Sequence, residues 1–236
     1  MKKLYLLLLC FLLLGCHPIE EVAIQPDSDM ATKAYYYDTG IEGKNIVIVG
    51  GIHGDEIAGW QATDLIRQSL KTYISSGKVL IIPHANQIAI NEKRRYGEAY
   101  GDLNRTFLGD GDKTSVDLSQ EISDRIREFE PDIILDLHES LNNYMNKRLG
   151  NTIILTDVKD NLLSGLEILD IINPQIVDDI PFIIETNPPI GSINRTLSEE
   201  LEILVVTIET NRELKLEKRI EEQLIVATSI IEYISK

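Results

Sequence analysis

Short runs of aliphatic and β-branched residues alternate along the chain with longer segments in which apolar residues recur every three or four positions. Runs with little polar alternation predict buried strands, and the wider spacing predicts amphipathic helices. The predicted strands cover residues 45–49, 78–83, 132–138, 151–156 and 203–209. The predicted helices cover residues 56–70, 116–129, 160–172 and 212–234. Buried strands separated by helices favour an α/β fold, with a mainly parallel mixed sheet and helices on both faces.

Two segments show neither pattern. Residues 86–112 are polar and contain glycine, which predicts a loop. Residues 173–198 contain four prolines and Gly191. We expect a surface excursion there that could form a substrate-binding rim.

The N-terminus has the order of an export signal. Lys2 and Lys3 precede an uncharged apolar run, residues 4–14, that is too short to span a bilayer as a helix. The sequence Leu-Leu-Gly-Cys at residues 13–16 resembles the lipobox of bacterial lipoproteins, which implies cleavage before Cys16 and acylation of that cysteine. An uncleaved anchor or a wrongly assigned start is the alternative.

Cleavage before Cys16 divides the chain and restricts its chemistry. The expected parts are a lipoprotein signal peptide at residues 1–15, a polar tether at 16–30 and a single domain at 31–236. The expected location is the bacterial cell envelope, with the chain anchored to a membrane by its lipid. Since Cys16 would be the remaining cysteine, disulfides, thiolate metal ligands and a cysteine nucleophile are excluded.

Composition narrows the class of protein further. The chain has 236 residues, 43% of them hydrophobic, which suits a folded domain and is too apolar for a disordered chain. The formal net charge is −15. Such an excess of acid argues against binding to phosphates, so we expect no nucleic acid partner.

Polar residues with the right chemistry follow three of the predicted strands. His53 and Glu56 come after the first strand, His138 ends the third, and Glu209 ends the late one. The carboxyl ends of parallel strands share one edge of a sheet, so these residues are expected to converge. Two imidazoles and one carboxylate form a ligand set of catalytic zinc, which predicts one Zn²⁺ per chain. The alternative for a single strand-end histidine is a structural, hydrogen-bonded role.

Five segments of the sequence, which include these strand-end residues, resemble those of a known family. The segments that carry the resemblance, in order, are residues 50–56 (Gly-Gly-Ile-His-Gly-Asp-Glu), Arg95, residues 102–105 (Asp-Leu-Asn-Arg), 136–138 (Asp-Leu-His) and 207–210 (Thr-Ile-Glu-Thr). They resemble the zinc carboxypeptidases of the M14 type, especially the succinylglutamate desuccinylase/aspartoacylase and murein-peptide amidase branches. The resemblance extends over about residues 44–210 and implies a zinc carboxypeptidase-like fold.

The resemblance also implies roles for the strand-end residues. His53, Glu56 and His138 would bind zinc. Glu209 would be the general base that takes a proton from the attacking water and later gives it to the leaving nitrogen.

The resemblance implies further roles for Arg95 and for the segment 102–105. Arg95 would polarise the scissile carbonyl, with Arg94 as the alternative in the neighbouring register. Asn104 and Arg105 would bind a substrate carboxylate, for which a planar guanidinium is well suited. Asp102 would orient His53 through its other ring nitrogen.

Other polar residues are expected to serve mainly structure. Asp55 is interpreted as a cap of the following helix, His84 as structural, and Asp136 as a hydrogen-bonding partner behind the site. Arg195 or Lys147 could meet acidic or diaminopimelate-like groups of a substrate.

The sequence departs from the family where substrates are selected. No tyrosine lies between Met145 and Glu209, whereas digestive carboxypeptidases use a mobile tyrosine there. The 27 residues after Glu209 predict a helix, whereas aspartoacylases usually carry a further β domain after the base.

We therefore expect a zinc-dependent hydrolase of an amide bond in a small carboxylate-bearing peptide, such as a peptidoglycan stem peptide. The alternatives are a deacylase of N-acyl amino acids and a non-catalytic solute-binding lipoprotein.

Overall fold

Eight strands form one mixed sheet at the centre of the molecule. The computed structural model describes residues 18–140, 142–143, 148–177 and 180–235. The strands of the sheet, numbered along the chain, are β1 (Glu20–Ile24), β2 (Thr32–Asp38), β3 (Asn45–Gly50), β4 (Lys78–Ile82), β5 (Ile133–Ser140), β8 (Thr152–Leu155), β9 (Ile183–Thr186) and β10 (Leu204–Asn211). Two short strands outside it, β6 (Asn142–Asn143) and β7 (Arg148–Leu149), pair antiparallel with each other.

The strand order in the sheet is β1-β2-β4-β3-β5-β10-β8-β9. The pairs β3–β4, β3–β5, β5–β10 and β8–β9 are parallel, whereas β1–β2, β2–β4 and β8–β10 are antiparallel. This order puts β3, β5 and β10 side by side, so that their carboxyl ends lie at one edge. The expected α/β fold with a mainly parallel mixed sheet is confirmed.

Helices cover both faces of the sheet. They are α1 (Ile57–Gln68), α2 (Leu70–Tyr73), α3 (Gln87–Glu92), α4 (Lys113–Phe129), α5 (Asn161–Ile172), α6 (Ile193–Leu201) and α7 (Leu216–Ile234). On one face, side chains of α1, α5 and α7 pack against Leu135 and Ile208. On the other, side chains of α4 and α6 pack against Ile134 and Val205. The alternation along β5 and β10 therefore gives each strand two buried faces.

Local sequence explains where several helices begin and end. The carboxylate of Asp112 accepts hydrogen bonds from the Thr114 and Ser115 amides and caps α4, and Glu130 adopts a left-handed conformation just before Pro131. In α1, an added Cβ at Gly59 would lie 2.5 Å from the carbonyl oxygen of Leu137. The glycine therefore lets α1 approach β5 closely beside the strand ends.

The structure corrects the expected extent of the tether. Residues 16–30 were expected to be a polar tether, but β1 pairs with β2 from residue 20 onward, and Ile24 and Met30 are fully buried. The folded domain therefore begins before residue 31. The segment is rich in acid and proline, so its few buried side chains carry no periodic signal.

The N-terminal expectations lie outside the described residues. The signal peptide at 1–15 and Cys16 belong to the first 17 positions, which the structure does not describe. Within the described part of the chain, none of the helices combines the length and the apolar character that crossing a membrane requires.

Two segments expected to be irregular contain regular elements. The short helix α3 and a 3-10 turn, Leu103–Arg105, lie within 86–112. The strand β9 lies within 173–198, and the helix α6 begins there, at Ile193, and continues to Leu201.

Candidate active site

The chain reaches the carboxyl edge of the sheet through a glycine-rich turn after β3. Gly51 has φ +73°, and a Cβ at Gly54 would lie 1.9 Å from the carbonyl carbon of Ala89 in α3. The turn can therefore pass against α3 and place His53 and Glu56 at the start of α1. Glu56 immediately precedes the helix.

Three buried side chains from this edge meet around one point. The His53 Nδ1 and Glu56 Oε1 atoms are 2.8 Å apart, and His138 Nδ1 is 2.7 Å from Glu56 Oε2. The two Nδ1 atoms are 3.1 Å apart. Donor atoms of a tetrahedral zinc ion are separated by roughly 3.3 Å, since Zn–N bonds are about 2.0–2.1 Å. The three residues therefore fit a small divalent cation, and they form a candidate metal site among the described residues.

Carboxylates hold the back of both imidazole rings. His53 Nε2 lies 3.1 Å from Asp102 Oδ1, and His138 Nε2 lies 3.0 Å from Asp136 Oδ1. The contact of His53 with Asp102 is a hydrogen bond that orients the ring, whereas Asp136 and His138 are close enough for an ion pair; in both cases Nδ1 is left directed at the shared point. This is the arrangement typical of histidines that bind a metal.

The charges of the three converging side chains depend on one another. Burial would raise the pKa of Glu56, but the imidazoles of His53 and His138 hold it well below its usual value. Burial would lower the pKa of both histidines, but Glu56 with Asp102 raises that of His53, and Asp136 with Glu56 raises that of His138 well above its usual value. The carboxylate is therefore ionised, and the site is built for a positive charge at its centre.

Glu209 stands beside this ligand set. It is the register partner of His138 in the parallel pair β5–β10, so the two side chains lie next to each other on the same face of the sheet. Its Oε2 is buried and has no hydrogen-bond partner among the described residues. Burial, reinforced by the charge of Glu56, raises the pKa of Glu209 to about 7. The carboxyl group can therefore hold or release a proton near neutral pH.

Arg95 joins the site from the loop after α3. Its Nη1 lies 3.2 Å from Glu56 Oε1, and its Nε and Nη2 donate to Asp102 Oδ2 over 3.4 Å. Arg94, the alternative, forms an exposed ion pair with Glu98. The structure therefore places Arg95, and not Arg94, at the cavity.

Asn104 and Arg105 lie in the 3-10 turn. The Asn104 side-chain oxygen accepts a hydrogen bond from the Ile193 amide at 3.1 Å, which ties the turn to the start of α6. Arg105 donates to the Asn104 carbonyl at 2.7 Å. Within the described part of the chain, no acidic side chain lies within ion-pair distance of Arg105, so its guanidinium can bind an anionic group.

These residues line one cavity of about 220 Å³. Its wall includes the predicted site residues His53, Glu56, Arg95, Asn104, Arg105, His138 and Glu209. Asp102 lies behind His53 and is absent from the residues that form the wall. The remaining wall comes from Glu139, Ser140, Ile154, Pro188, Pro189, Ser192 and Thr207. The proline-rich segment before α6 therefore forms part of the rim.

Two of the other polar residues lie elsewhere. His84 contacts Asp64 at 2.8 Å on a separate part of the surface, in line with a structural role. Asp55 does not cap α1; its carboxylate instead accepts a hydrogen bond from Arg212 at 3.1 Å.

The structure describes one of the two residues considered for distal substrate groups. Arg195 is paired with Glu199 and donates to Asn187. Lys147 falls outside the described residues.

Sequence reasoning missed a buried polar network behind His138. Thr207 donates to Asp136 Oδ2 at 3.3 Å, and the Asn194 side-chain nitrogen donates to Thr207 Oγ1 at 2.9 Å. Thr207 begins the segment 207–210 that carries the family resemblance, two residues before Glu209, and this position was the available signal. Asn194 gives no signal in the sequence, because it reaches the network from α6.

Sequence comparison shows which known proteins this chain is similar to. Residues 42–230 match the model of the succinylglutamate desuccinylase/aspartoacylase catalytic domain, which is most of the chain. A segment of 98 residues is 34% identical to N-alpha-acetyl-L-2,4-diaminobutyric acid deacetylase from Halomonas elongata and covers 41% of this chain and 29% of that protein.

Solved structures show the same fold. The tripeptide-bound cell shape determinant Csd4 from Helicobacter pylori aligns with a TM-score of 0.70 and 20% identity over 92% of this chain and 55% of Csd4. An aspartoacylase family protein from Mesorhizobium loti aligns with a TM-score of 0.69 and 19% identity over 90% of this chain and 68% of that one. The chain spans about half the length of Csd4.

Proposed function

Because the chain belongs to the succinylglutamate desuccinylase/aspartoacylase family of hydrolases, we propose that it hydrolyses an amide bond in a small carboxylate-bearing peptide with the help of one Zn²⁺. The observation that carries the proposal is the position of Glu209. Its carboxyl group lies beside the three converging ligands His53, Glu56 and His138 and in the same cavity.

The donor set suits zinc and leaves room for a reaction. Three protein ligands with one open position are typical of catalytic zinc sites. When bound, Zn²⁺ acidifies water and polarises a carbonyl oxygen.

The remaining steps belong to residues of this chain. Glu209 takes a proton from the water whose oxygen attacks the scissile carbonyl carbon. When the carbon–nitrogen bond breaks, Glu209 returns the proton to the leaving nitrogen. Arg95 donates hydrogen bonds to the carbonyl oxygen as negative charge develops on it. Arg105 binds the substrate carboxylate and so fixes which amide bond lies over the ligands.

Two observations support a peptide as the substrate: the residues that line the cavity and a similar solved structure. Pro188 and Pro189 form part of the wall of this cavity of about 220 Å³, and a second residue of a peptide would extend along them. The Csd4 structure, whose fold this chain shares, is bound to a tripeptide.

A second candidate is deacylation of an N-acyl amino acid. It is favoured by the 34% identity to a deacetylase of N-alpha-acetyl-L-2,4-diaminobutyric acid and by the small volume of the cavity. The chemistry at Glu209 and the ligands would be the same, and only the group on the carbonyl side would differ.

The test is metal analysis followed by a substrate panel. The purified protein, reconstituted with Zn²⁺, is incubated with a digest of peptidoglycan peptides and with N-acetyl and N-succinyl amino acids, and products are read by mass spectrometry. Cleavage of peptides alone supports the first candidate, and cleavage of N-acyl amino acids alone supports the second. Retention of a compound without any product would instead indicate a solute-binding protein.

We also propose that the chain is a lipoprotein of the bacterial cell envelope, anchored through Cys16. The basic, apolar and lipobox-like order of the first 16 residues supports this proposal. Expression in a bacterium fed labelled palmitate tests it, because Cys16→Ser should abolish incorporation while the wild type becomes labelled.

A further inference from the structure

The helix α7 supports the candidate metal site from the opposite face of the sheet. His138 and Glu209 project toward the face covered by α4 and α6, whereas α7 packs on the other face through Val226 and Ile230. One fully buried polar side chain of α7, that of Gln223, nevertheless reaches the strand ends. Gln223 therefore connects α7 to the ends of the strands that carry His138 and Glu209.

Gln223 binds the main chain of both site strands. Its side-chain nitrogen donates to the carbonyl oxygen of His138 at 2.6 Å and to that of Ile208 at 3.4 Å. It also donates to Thr210 Oγ1 at 3.1 Å. These acceptors flank or belong to the ligand His138 and the neighbouring Glu209, so one amide holds the two strand ends at a fixed separation.

At the level of the site, β5 is paired with β10 alone among the described strands. The last register pair of β3 and β5 is Gly50 with Leu137, whereas β5 continues beside β10 as far as Ser140. From His138 onward the β3 side of β5 has no strand partner. In this stretch the side-chain nitrogen of Gln223 adds donors on the β10 side of β5, at the carbonyl oxygens of His138 and Ile208.

The amide of Gln223 carries a cost that points to a specific use. Its side-chain oxygen is buried and has no hydrogen-bond partner among the described residues. An apolar side chain of the same size would avoid that cost. The benefit of glutamine at this position is therefore its two donor hydrogens, which are directed at the site.

Arg219 acts one turn earlier on the same face of α7. Its guanidinium donates to the carboxylate of Glu139, the residue after His138. The other carboxylate oxygen of Glu139 accepts a hydrogen bond from the Ala58 amide at 2.9 Å, and the Glu139 amide donates to Glu56 Oε2 at 3.1 Å. Arg219 is thus connected to the carboxylate ligand through a single residue.

We propose that Gln223 and Arg219 are positioning residues of the metal site, which hold His138 and Glu56 at the separation that the cation requires. The proposal rests on the zinc site of the proposed function. Neither residue touches the cation or the substrate, so their effect is on metal affinity and on the geometry of the ligands. Partners that orient metal ligands commonly change affinity by 10–100-fold.

The experiment measures Zn²⁺ affinity and stability separately. The full chain is prepared as wild type, Gln223→Met, Arg219→Met and Arg219→Lys, and the dissociation constant for Zn²⁺ is measured by competition with a chromogenic chelator. We expect about a tenfold rise in this constant for Gln223→Met and Arg219→Met. Arg219→Lys, which keeps a cation beside Glu139, should return to within about threefold of wild type.

A matched control separates positioning from general stability. Gln175 also donates a side-chain hydrogen bond to α7, at Ser229 Oγ over 2.9 Å, but at a position distant from the ligands along the helix. Gln175 is exposed, so Gln175→Met should lower the melting temperature of the protein less than Gln223→Met does, and it should leave the Zn²⁺ dissociation constant unchanged.

Each outcome has a distinct meaning. If Gln223→Met lowers the melting temperature but binds Zn²⁺ as tightly as wild type, α7 is merely structural and the inference is overturned. If Gln223→Met does not fold, the comparison of Arg219→Met with Arg219→Lys decides in the same way. A wild type that fails to bind Zn²⁺ would overturn the proposed function itself.

Discussion

Glu56 and Glu209 lie in the same buried site, but their surroundings shift the two pKa values in opposite directions. Burial acts on both, and the two imidazoles beside Glu56 overcome it, so that the pKa of Glu56 falls well below its usual value. Glu209 has no such compensation from a hydrogen bond, and its pKa rises to about 7. Under the proposed function, this difference suits Glu56 to the role of a permanently ionised ligand and Glu209 to that of a proton carrier.

The role of Glu209 is tested by Glu209→Gln. The amide keeps the size of the side chain but cannot accept the proton, so we expect kcat to fall by about 10²–10⁴-fold. The zinc content should stay at the wild-type value, because Glu209 is not one of the three converging ligands. Steady-state kinetics with metal analysis on the same samples checks both expectations. Loss of zinc together with activity would show that Glu209 is instead a ligand.

The role of Arg105 is tested by comparing two substitutions of arginine by lysine. Lysine keeps the charge but loses the planar pair of donors, so Arg105→Lys should lower kcat/KM by about tenfold for a substrate with a free carboxylate. The same substrate with its carboxylate amidated should be affected much less. Arg94→Lys is the control, since Arg94 is paired with Glu98 on the surface and should leave kcat/KM unchanged. Equal effects of Arg105→Lys on both substrates would contradict a carboxylate-binding role.

At the scale of elements, the site is assembled from segments that are far apart in the sequence. The turn after β3 supplies His53, the 3-10 turn supplies Arg105, and β5 and β10 supply His138 and Glu209. The parallel pairing of β3, β5 and β10 aligns their carboxyl ends, so that short polar turns meet over a rigid base. The helices α1 and α7 then fix those ends from the other face.

A further prediction at this scale concerns the strand β1, which adds residues 20–24 to the folded domain and should therefore contribute to its stability. Ile24→Ala removes a fully buried side chain and should lower the free energy of unfolding by about 2–5 kcal/mol. Ile19→Ala, at an exposed side chain just before the strand, should change it by less than about 0.5 kcal/mol. Chemical denaturation of the three proteins measures the difference. Similar stabilities for all three would restore residues 16–30 to the role of a tether.

Elements with a strong local pattern could be predicted from the sequence, and those without one could not. The strand β10 contains a run of aliphatic residues buried on both faces, and α7 repeats its apolar residues over five turns, so their patterns are visible locally. The nine-residue helix α6 buries few large apolar side chains, chiefly Ile193 and Leu197, and β1 lies at the edge of the sheet with acidic residues. Their burial depends on what packs against them, which the sequence does not display.

The residues of the candidate site likewise fall into those that the sequence could predict and those that it could not. His53, Glu56 and His138 stand at the ends of strong strand patterns and carry a recognisable spacing, so they could be singled out from the sequence. Asn194 and Gln223 act through hydrogen bonds to side chains or carbonyls on distant strands. Nothing in their own neighbourhood in the chain distinguishes them from ordinary helix residues.

At the scale of the whole molecule, one cation would link parts of the chain that are 85 residues apart, from His53 to His138. The buried carboxylate of Glu56 lies against two imidazoles and one guanidinium, which come from three different parts of the chain. A ligand that binds the folded state and not the unfolded chain stabilises the fold by an amount set by its concentration and affinity. Zinc should therefore act on the stability of the entire domain and not on the active site alone.

The effect of Zn²⁺ on the stability of the domain can be measured without knowing the substrate. With free Zn²⁺ at 100 times its dissociation constant, the stabilisation is about 2.7 kcal/mol, which corresponds to a rise of roughly 5–10 °C in melting temperature for a domain of this size. Thermal unfolding of the chelator-treated protein, with and without Zn²⁺, checks the shift. His138→Ala removes one of three ligands, so its melting temperature should be insensitive to added Zn²⁺. A full shift in His138→Ala would place the bound ion at another site, and the ligand assignment would then be wrong even if the wild type proved to be a zinc protein.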